Sequence, residues 1–356
     1  MMKNDLTILG IETSCDETSA SLLNIKNHKF KIVSNVVFSQ VKIHAQYGGI
    51  VPEVAARKHA ENIVFVLETV INPKKISFDA IAVTNGPGLI TSLLVGVEAA
   101  KTLAFLTNKP LIPVNHLVAH IYSSFINNWP LEIKNFLPAV CLVVSGGHTE
   151  LILMKDFEKF EKIGQTLDDA AGECFDKVAK ILGLGYPGGP IISEYAKKWK
   201  SQTNSKILIN LPRPMINSPD FNFSFSGLKT AVLYKTRQLG DFKTSQLIPL
   251  ICHEVEKAIV EVLVEKTIKA VKKFKAKSII LGGGVTANDF LRKSFKTKIK
   301  NLKLKINLFI PPKKLSTDNA VMVAIAGYFK LKKTPRKDWL KKFAWRKIEV
   351  DPNLEI

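Results

Sequence analysis

Cysteine is scarce in this 356-residue chain, and acidic residues are clearly outnumbered by basic ones. The four cysteines show no CxxC spacing, which excludes a disulfide-stapled miniprotein and predicts reduced thiols. They are Cys15, Cys141, Cys174 and Cys252. No uninterrupted apolar run approaches about 18 residues, so we expect no membrane-spanning helix and no membrane partner. The opening residues lack a secretory apolar core and lead straight into a strand, which favours a bacterial cytoplasm.

The basic excess is unevenly distributed along the chain. Lysine and arginine total 51 against 31 acidic residues, a net charge of +20. Residues 257–356 hold 25 basic and 8 acidic residues, whereas residues 1–256 hold 26 and 23. Such a field attracts polyanions, and RNA or DNA is the obvious candidate. A merely solvated lysine-rich surface is the alternative.

Length and composition predict a packed chain of about two domains, because 46% of the residues are hydrophobic, and the order of predicted strands and helices favours two α/β lobes. Two stretches, one starting at Leu6 and one at Ala139, each read as strand, polar or glycine-rich turn, strand. The Pro/Asn-rich stretch 127–138 is the expected crossing point. The predicted lobes are residues 1–137, with C-terminal helices 318–356 packing back on them, and residues 138–317.

The turn after the first predicted strand is crowded with polar groups. Residues 10–18 read GIETSCDET and include Glu12, Asp16 and Glu17 with three hydroxyl side chains. Such a turn can hold a cation or act on a phosphate through a metal or water. A polar hairpin tip whose side chains cap local backbone groups is the alternative.

Two glycine-rich turns follow buried strands. Residues 143–149 read VVSGGHT, and residues 282–288 read GGGVTAN. Glycines let backbone N–H groups approach an anion closely, and the second turn precedes a helix start. Neither turn fits GxGxxG with a following acidic residue or GxxxxGK[ST]. Each alone could be a tight loop, but the pair favours a bound nucleotide.

His116 and His120 stand four residues apart, so on a helix they share one face and can chelate one metal ion. Leu117 occupies the position where the HExxH metalloprotease motif needs glutamate, which argues against peptide hydrolysis. Asp318, before an apolar helix, is a plausible third ligand, although it could simply cap that helix. One capping and one packed histidine is the other interpretation of the pair.

Taken together, these stretches resemble the TsaD/Gcp family, tRNA N6-adenosine threonylcarbamoyltransferases formerly described as O-sialoglycoprotein endopeptidases. The similarity extends from Gly10 to about Trp345. The matching stretches are GIETSCDET, HAQYGGIVPEVAARKH, GPGL, HLVAH, VSGGHTEL, DDAAGECFDKVAK, YPGGP, FSFSGLKT, GGGVTAN and STDNA. The resemblance implies two ribonuclease-H-like lobes of the actin/Hsp70/sugar-kinase type around a nucleotide cleft. The tail departs from the family, with Ala344-Trp345-Arg346 where a Pro-Arg-Trp-Pro-like segment is usual.

The resemblance also implies roles for individual residues. Its metal ligands, for iron or zinc, match His116, His120 and Asp318. Glu12 and Asp16 in the acidic first loop are the candidates for proton removal. The substrate contacts match Val143, Val144, Ser145, Gly146, Gly147, Asp176, Gly189 and Asn288.

The implied reaction moves the threonylcarbamoyl group from L-threonylcarbamoyl-AMP to N6 of adenosine 37 in tRNAs that read ANN codons. The implied partners are the tRNA and, in bacteria, TsaB-like and TsaE-like proteins. Two other functions stay open at this point: a kinase of the same fold, and a nucleotide-binding scaffold without catalysis. The paired histidines favour the transferase, because neither alternative uses them.

Overall fold

The computed structural model describes residues 5–27, 29–71, 77–127, 136–200 and 209–356, apart from the side chains at 200 and 241–243. The chain forms two compact units, Met1–Ile133 with Lys314–Ile356, and Lys134–Lys313. Both units combine a mixed sheet with helices, which confirms the predicted α/β class. Most of the predicted crossing point, 128–135, lies outside the described residues.

Ten strands and ten helices make up the described part of the chain. The strands are β1 Asp5–Glu12, β2 Glu17–Lys26, β3 Lys29–Ser39, β4 Ala80–Gly86, β5 Leu111–Asn115, β6 Ala139–Val144, β7 Thr149–Asp156, β8 Lys159–Gln165, β9 Ser278–Gly282 and β10 Asn307–Phe309. The helices are α1 Val41–Ala45, α2 Pro52–Ile71, α3 Ile90–Thr107, α4 His116–Tyr122, α5 Ala171–Ile181, α6 Gly188–Lys200, α7 Ser226–Phe274, α8 Asp289–Asn301, α9 Ala320–Lys332 and α10 Trp339–Lys342.

The two sheets share one design. The first unit orders its strands β3-β2-β1-β4-β5, and the second orders them β10-β9-β6-β7-β8. In each sheet three consecutive strands form an antiparallel meander. A fourth strand pairs in parallel with the first strand of the meander, and a fifth pairs in parallel with the fourth. The loops after the parallel strands therefore gather at one end of each sheet, where ligands bind in α/β folds.

Helix α3 is long and apolar enough to cross a bilayer by length and composition alone. In the folded unit it buries Val97, Ala100 and Ala104 in the first core, beside α2 and β4. Its Glu98 and Lys101 form an ion pair at 2.7 Å on the outer side. Packing in the first core accounts for the buried third of this helix, whereas Ile90, Leu94, Phe105 and Leu106 stay exposed.

The strands predicted to start at Leu6 and Ala139 begin within one residue of those positions, as β1 and β6. Helix α7 is the main difference: the pattern predicts a helix over 246–274, whereas helical residues already begin at Ser226 and form two helices joined at Gly240. Gly240, at φ 74°, interrupts it, and Pro249 lies inside it. Both residues weaken a helical pattern in the sequence, whereas burial in the second core stabilises the packed helix.

Candidate functional site

The two predicted histidine ligands lie on one face of α4. Asn115, the last residue of β5, caps this helix by accepting hydrogen bonds from the backbone N–H groups of Leu117 and Val118 at 2.9 and 3.2 Å. The cap fixes His116 as the first helical residue and puts His120 one turn later. Their ring centroids lie 4.6 Å apart.

Asp318 joins the histidines from the other end of the chain. Its Oδ1 lies 3.0 Å from Nε2 of His120 and 3.6 Å from Nε2 of His116. Asn319, not Asp318, caps α9, because its side chain accepts from the N–H of Met322. The capping role considered for Asp318 therefore belongs to its neighbour. The structure brings all three predicted ligands together, with one ligand atom from each within 4.8 Å of the others.

The state of His120 fits a metal ligand. The side chain is fully buried, Nδ1 makes no hydrogen bond within the described part of the chain, and Nε2 faces the Asp318 carboxylate at 3.0 Å. Burial lowers its pKa, which favours the neutral imidazole that binds metals. Two imidazole nitrogens and one carboxylate oxygen form a donor set that suits zinc or iron.

Glu12 lies behind His116 with its carboxylate enclosed by protein. Oε1 accepts from the N–H of Ser14 at 2.7 Å, Oε2 accepts from the hydroxyl of Thr84, and Nδ1 of His116 lies 3.4 Å from Oε2. Burial raises the pKa of Glu12, but the His116 imidazole outweighs this and lowers it. Burial lowers the pKa of His116, but Asp318 and Glu12 raise it to about 9. Nδ1 of His116 also lies 3.1 Å from the Ser14 hydroxyl, so Ser14 and Glu12 together direct Nε2 of His116 toward Asp318, as groups behind a metal-binding histidine do.

Asp16 is placed differently from Glu12. It lies half-buried in the turn between β1 and β2, and its backbone carbonyl accepts from the N–H of Gln40 at 3.0 Å. His59 of α2 holds the two sides of this turn, with Nδ1 2.7 Å from the Thr18 hydroxyl and Nε2 2.9 Å from the Cys15 carbonyl. The turn is therefore anchored by its neighbours while the Asp16 side chain keeps access to solvent.

Gly10 allows α9 to approach β1 closely enough to bring Asp318 to the histidines. A Cβ at this position would lie 2.2 Å from the backbone oxygen of Ala320, the first residue of α9. The N–H of Ala320 donates to the hydroxyl of Ser19 at 3.0 Å. The site therefore depends on a missing side chain in β1 and on one hydroxyl in β2.

In the second unit, the predicted phosphate loop follows β6. Val143 and Val144 are fully buried inside the sheet, so they set the position of the loop. The N–H of Ser145 donates to the carbonyl of His148 at 2.8 Å, and the hydroxyl of Ser145 accepts from the N–H of His148 at 3.1 Å. Gly146 and Gly147 are exposed at the turn between them, with open space where a Cβ would point. Their backbone N–H groups can therefore approach an anion.

The second glycine-rich loop lies beside the first, because β6 and β9 are parallel neighbours. Gly283 has a φ of 91°, and a Cβ on it would lie 2.3 Å from the carbonyl oxygen of Val144. Only glycine combines that conformation with such a close approach. The two predicted loops thus share one end of the second sheet.

Asp176 and Gly189 also meet in this unit. The carboxylate of Asp176, on α5, accepts hydrogen bonds from the N–H groups of Gly188 and Gly189 at the start of α6, the first at 2.6 Å. Burial raises the pKa of Asp176 to about 6, although these hydrogen bonds lower it. The predicted substrate residue is therefore a half-buried carboxylate that is mainly ionised at pH 7.

The stability of the protein should show this raised pKa. The ordinary value is 3.8, so the folded protein holds a proton between about pH 4 and 6 that the unfolded chain has released. The free energy of unfolding therefore falls as the pH rises through that window. In Asp176→Asn this fall should disappear, a relative gain of about 1–3 kcal/mol from pH 4 to 7. Urea unfolding across this range measures it, and parallel profiles for the two proteins would contradict it.

Asp168→Asn provides a control of opposite sign. Burial raises the pKa of Asp168, but hydrogen bonds from the hydroxyls of Ser224 and Ser226 outweigh this and lower it. Its contribution to stability is present above the ordinary pKa and is lost as the pH falls through the folded value. The loss of stability in this variant should be largest at neutral pH and fade in acid.

Asn288 is held by residues that the sequence analysis missed. Its side-chain oxygen caps α8 by accepting from the N–H of Leu291, and its amide donates to the hydroxyl of Ser193 and to Oε1 of Glu256, each at 2.8 Å. Glu256 is buried on α7. Nothing in the local pattern of α7 distinguishes this glutamate, because its partner is 32 residues away.

Comparison with known sequences shows the family of the chain. The model of the TsaD family, described as tRNA N6-adenosine threonylcarbamoyltransferase, matches residues 31–325. A protein of that name from Syntrophomonas wolfei is 50% identical over 325 residues, which cover 90% of this chain and 91% of its own. Another from Thermosipho africanus is 46% identical over 354 residues, covering 99% of this chain and 100% of its own.

Comparison with solved structures shows the fold. A HypF protein from T. kodakarensis superposes with a TM-score of 0.57 at 14% identity, over 94% of this chain and 49% of its own. Component A of (R)-2-hydroxyglutaryl-CoA dehydratase from Acidaminococcus fermentans superposes with a TM-score of 0.51 at 14% identity, over 92% of this chain and 100% of its own. The predicted actin/Hsp70/sugar-kinase type of fold is confirmed. With identities of this size over nearly its whole length, the chain belongs to the TsaD family of tRNA N6-adenosine threonylcarbamoyltransferases.

Proposed function

We propose that this transferase moves the threonylcarbamoyl group from L-threonylcarbamoyl-AMP to N6 of adenosine 37 in tRNAs that read ANN codons. N6 forms a bond to the carbamoyl carbon, the bond from that carbon to the AMP phosphate oxygen breaks, and N6 gives up a proton. The observation that carries the proposal is the convergence of His116, His120 and Asp318 in a chain of this family.

The second unit supplies groups suited to AMP. The exposed backbone N–H groups of Gly146 and Gly147 would hold the phosphate. The Asp176 carboxylate, fixed by α6, would orient the nucleoside, with Gly189 leaving room beside it. Asn288 would keep the start of α8 in place beside the second glycine loop. Because an exocyclic adenine amine is a poor nucleophile, such positioning should supply much of the acceleration.

The first unit would hold the metal. A divalent ion, iron or zinc, bound by His116, His120 and Asp318 would supply a Lewis acid for a carbonyl or phosphate oxygen. Glu12 keeps His116 in the orientation for that role. The metal dependence of the reaction is part of our proposal.

We assign proton removal from N6 to Asp16. Of the two predicted carboxylates, Glu12 is enclosed by Ser14, Thr84 and His116, whereas Asp16 retains access to solvent. Asp16→Asn should therefore lower kcat by about 100-fold with the metal content unchanged. Glu12→Gln should lower both kcat and the affinity for the metal, the affinity by about tenfold or more. Steady-state kinetics with metal analysis separate the two, and normal turnover of Asp16→Asn would remove the assignment.

We also propose that TsaB-like and TsaE-like proteins assist the enzyme in a bacterial cytoplasm. A protein-docking face for the TsaB-like partner is available on α2 and α3, which pack on the same core. Large apolar side chains are exposed on both helices: Val64, Phe65, Ile90, Leu94, Phe105 and Leu106. Several large apolar side chains exposed on two neighbouring helices are typical of a surface that another protein covers.

The experiment is mass spectrometry of nucleosides from an ANN-reading tRNA. The tRNA is incubated with this protein, threonylcarbamoyl-AMP and a cell extract stripped of its own TsaD, and then with purified partners instead of the extract. We expect N6-threonylcarbamoyladenosine with the wild type and none with His116→Ala. Product from both proteins would keep the function and reduce the metal to a structural role. No product from folded, metal-loaded wild type would favour the scaffold or the kinase.

A further inference from the structure

Seven exposed lysines cluster at the end of the second sheet that is remote from the glycine loops. We call them the lysine end: Lys272, Lys273, Lys275, Lys277, Lys300, Lys303 and Lys305. They occupy two turns, the one between α7 and β9 and the one between α8 and β10. Neither 272–277 nor 300–306 contains an acidic residue.

The sheet register brings the two turns together. Strands β9 and β10 are parallel, with Ser278 beside Asn307, and the N–H of Asn307 donates to the carbonyl of Lys277 at 3.0 Å. Both turns therefore precede their strands at the same end. Asp156 and Glu158, at the tip of the β7–β8 hairpin, also lie at this end of the sheet, with β6 between them and β9. The lysine end is thus locally positive.

Helix dipoles explain only part of the cluster. Lys272, Lys273 and Lys300 lie in the last turns of α7 and α8, where a cation is favoured by the helix C-terminus. The other four lie beyond the helix ends. Two of these, Lys275 and Lys303, have φ of 50° and 51°, a left-handed conformation that favours glycine or asparagine. Helix α3 of the first unit ends on asparagine in the same conformation.

We propose that the lysine end binds the phosphate backbone of the tRNA at a distance from the modified base. Lysine is a point charge that neutralises phosphates without reading bases, so this surface would position the RNA and give no sequence selectivity. The five-residue strand β9 separates it from Gly283 by about 16 Å. The RNA would therefore contact the second unit both at the glycine-loop end and at the lysine end. This inference rests on the proposed tRNA substrate.

The test compares two variants that each remove four positive charges. The first carries Lys275→Asn, Lys277→Gln, Lys303→Asn and Lys305→Gln, with asparagine at the two left-handed positions to protect the fold. The control carries Lys26→Gln, Lys29→Gln, Lys31→Gln and Lys42→Gln, at exposed positions of the first unit. The dissociation constant of an unmodified tRNA transcript is measured between 50 and 200 mM salt.

We expect the slope of log Kd against log salt to become shallower by about three to four in the first variant and to stay unchanged in the control. The KM for tRNA should rise by about tenfold or more, with kcat at saturating tRNA unchanged. A tRNA that reads other codons should show the same loss of slope. A loss confined to the ANN-reading tRNA would overturn the assignment to the backbone.

Other outcomes also decide the question. An equal loss of salt slope in the two variants would show a general effect of net charge. An unchanged salt slope in the first variant would show that RNA does not contact this surface. Binding to phosphatidylserine vesicles that is lost in the first variant, with tRNA binding intact, would assign the surface to a membrane instead. Because the measurement is of binding, a slope loss confined to the first variant would support the lysine end even if the wild type made no modified nucleoside.

Discussion

Replacing His116 by alanine should remove the metal and almost all activity. The variant loses one of three ligands, and since changes behind a ligand already cost 10- to 100-fold, we expect a loss of about 100-fold or more. It should also lose stability, because Glu12 would remain fully buried without the imidazole that faces it. Leaving one partner of such a pair uncompensated costs about 3–5 kcal/mol. Metal analysis of the purified protein and urea unfolding measure the two effects.

His116→Asn separates the metal from the buried charge. An asparagine amide can donate to Glu12 from near the position of Nδ1, but it offers no group at the position of Nε2. We therefore expect the asparagine variant to recover most of the lost stability while the metal content and activity stay low. Full metal content in the folded asparagine variant would show that His116 is not a ligand. Equal stability of the alanine variant and the wild type would show that Glu12 does not depend on His116.

Replacing Gly172 by alanine should displace the phosphate loop. Gly172 is the second residue of α5, and its N–H donates to the carbonyl oxygen of Ser145 at 3.1 Å. A Cβ at this position would lie 2.4 Å from that oxygen and 2.9 Å from Cα of Gly146. Both are backbone atoms, so the loop must move. We expect AMP affinity to fall by about 100-fold, because the fixed N–H donors lose their alignment.

The stability change in Gly172→Ala should be moderate. Overpacking costs about 1–3 kcal/mol, and the better helix propensity of alanine offsets up to about 1 kcal/mol of it. Gly227→Ala is the matched control, since Gly227 also lies in the first turn of a helix and a Cβ there meets no atom within 4 Å. It should be neutral or slightly stabilising. Calorimetric titration with AMP measures the affinity of both variants. Wild-type affinity for AMP in folded Gly172→Ala would show that this loop does not hold the phosphate.

Local patterns in the sequence predicted much of the site. The spacing of His116 and His120 placed both on one helix face, since that relation depends only on the helical repeat. Glycines after apolar strands predicted loops that approach a ligand, for the same local reason. The resemblance added Asp318, which the sequence alone left undecided between ligand and cap. The structure gives the cap to Asn319 and brings Asp318 to the histidines.

The partners of these residues could not be read from the sequence. Thr84 reaches Glu12 across 72 positions, and Glu256 reaches Asn288 across 32. Such pairs depend on which strands and helices lie side by side, and no local periodicity encodes that. The same holds for Glu12, which reads as one of three acidic residues in a turn and becomes, once β1 packs beside α4, a buried carboxylate behind His116.

The sequence by itself determined the composition of this protein's site: two histidines one helical turn apart, glycines where strands end, and a lysine excess in residues 257–356. These follow from residue type and short-range spacing. Tertiary structure alone decided which carboxylate faces a histidine, which residue caps α9, and at which end of the second sheet seven lysines gather. Burial and strand register fix those choices, and both arise only when residues far apart in the chain pack together.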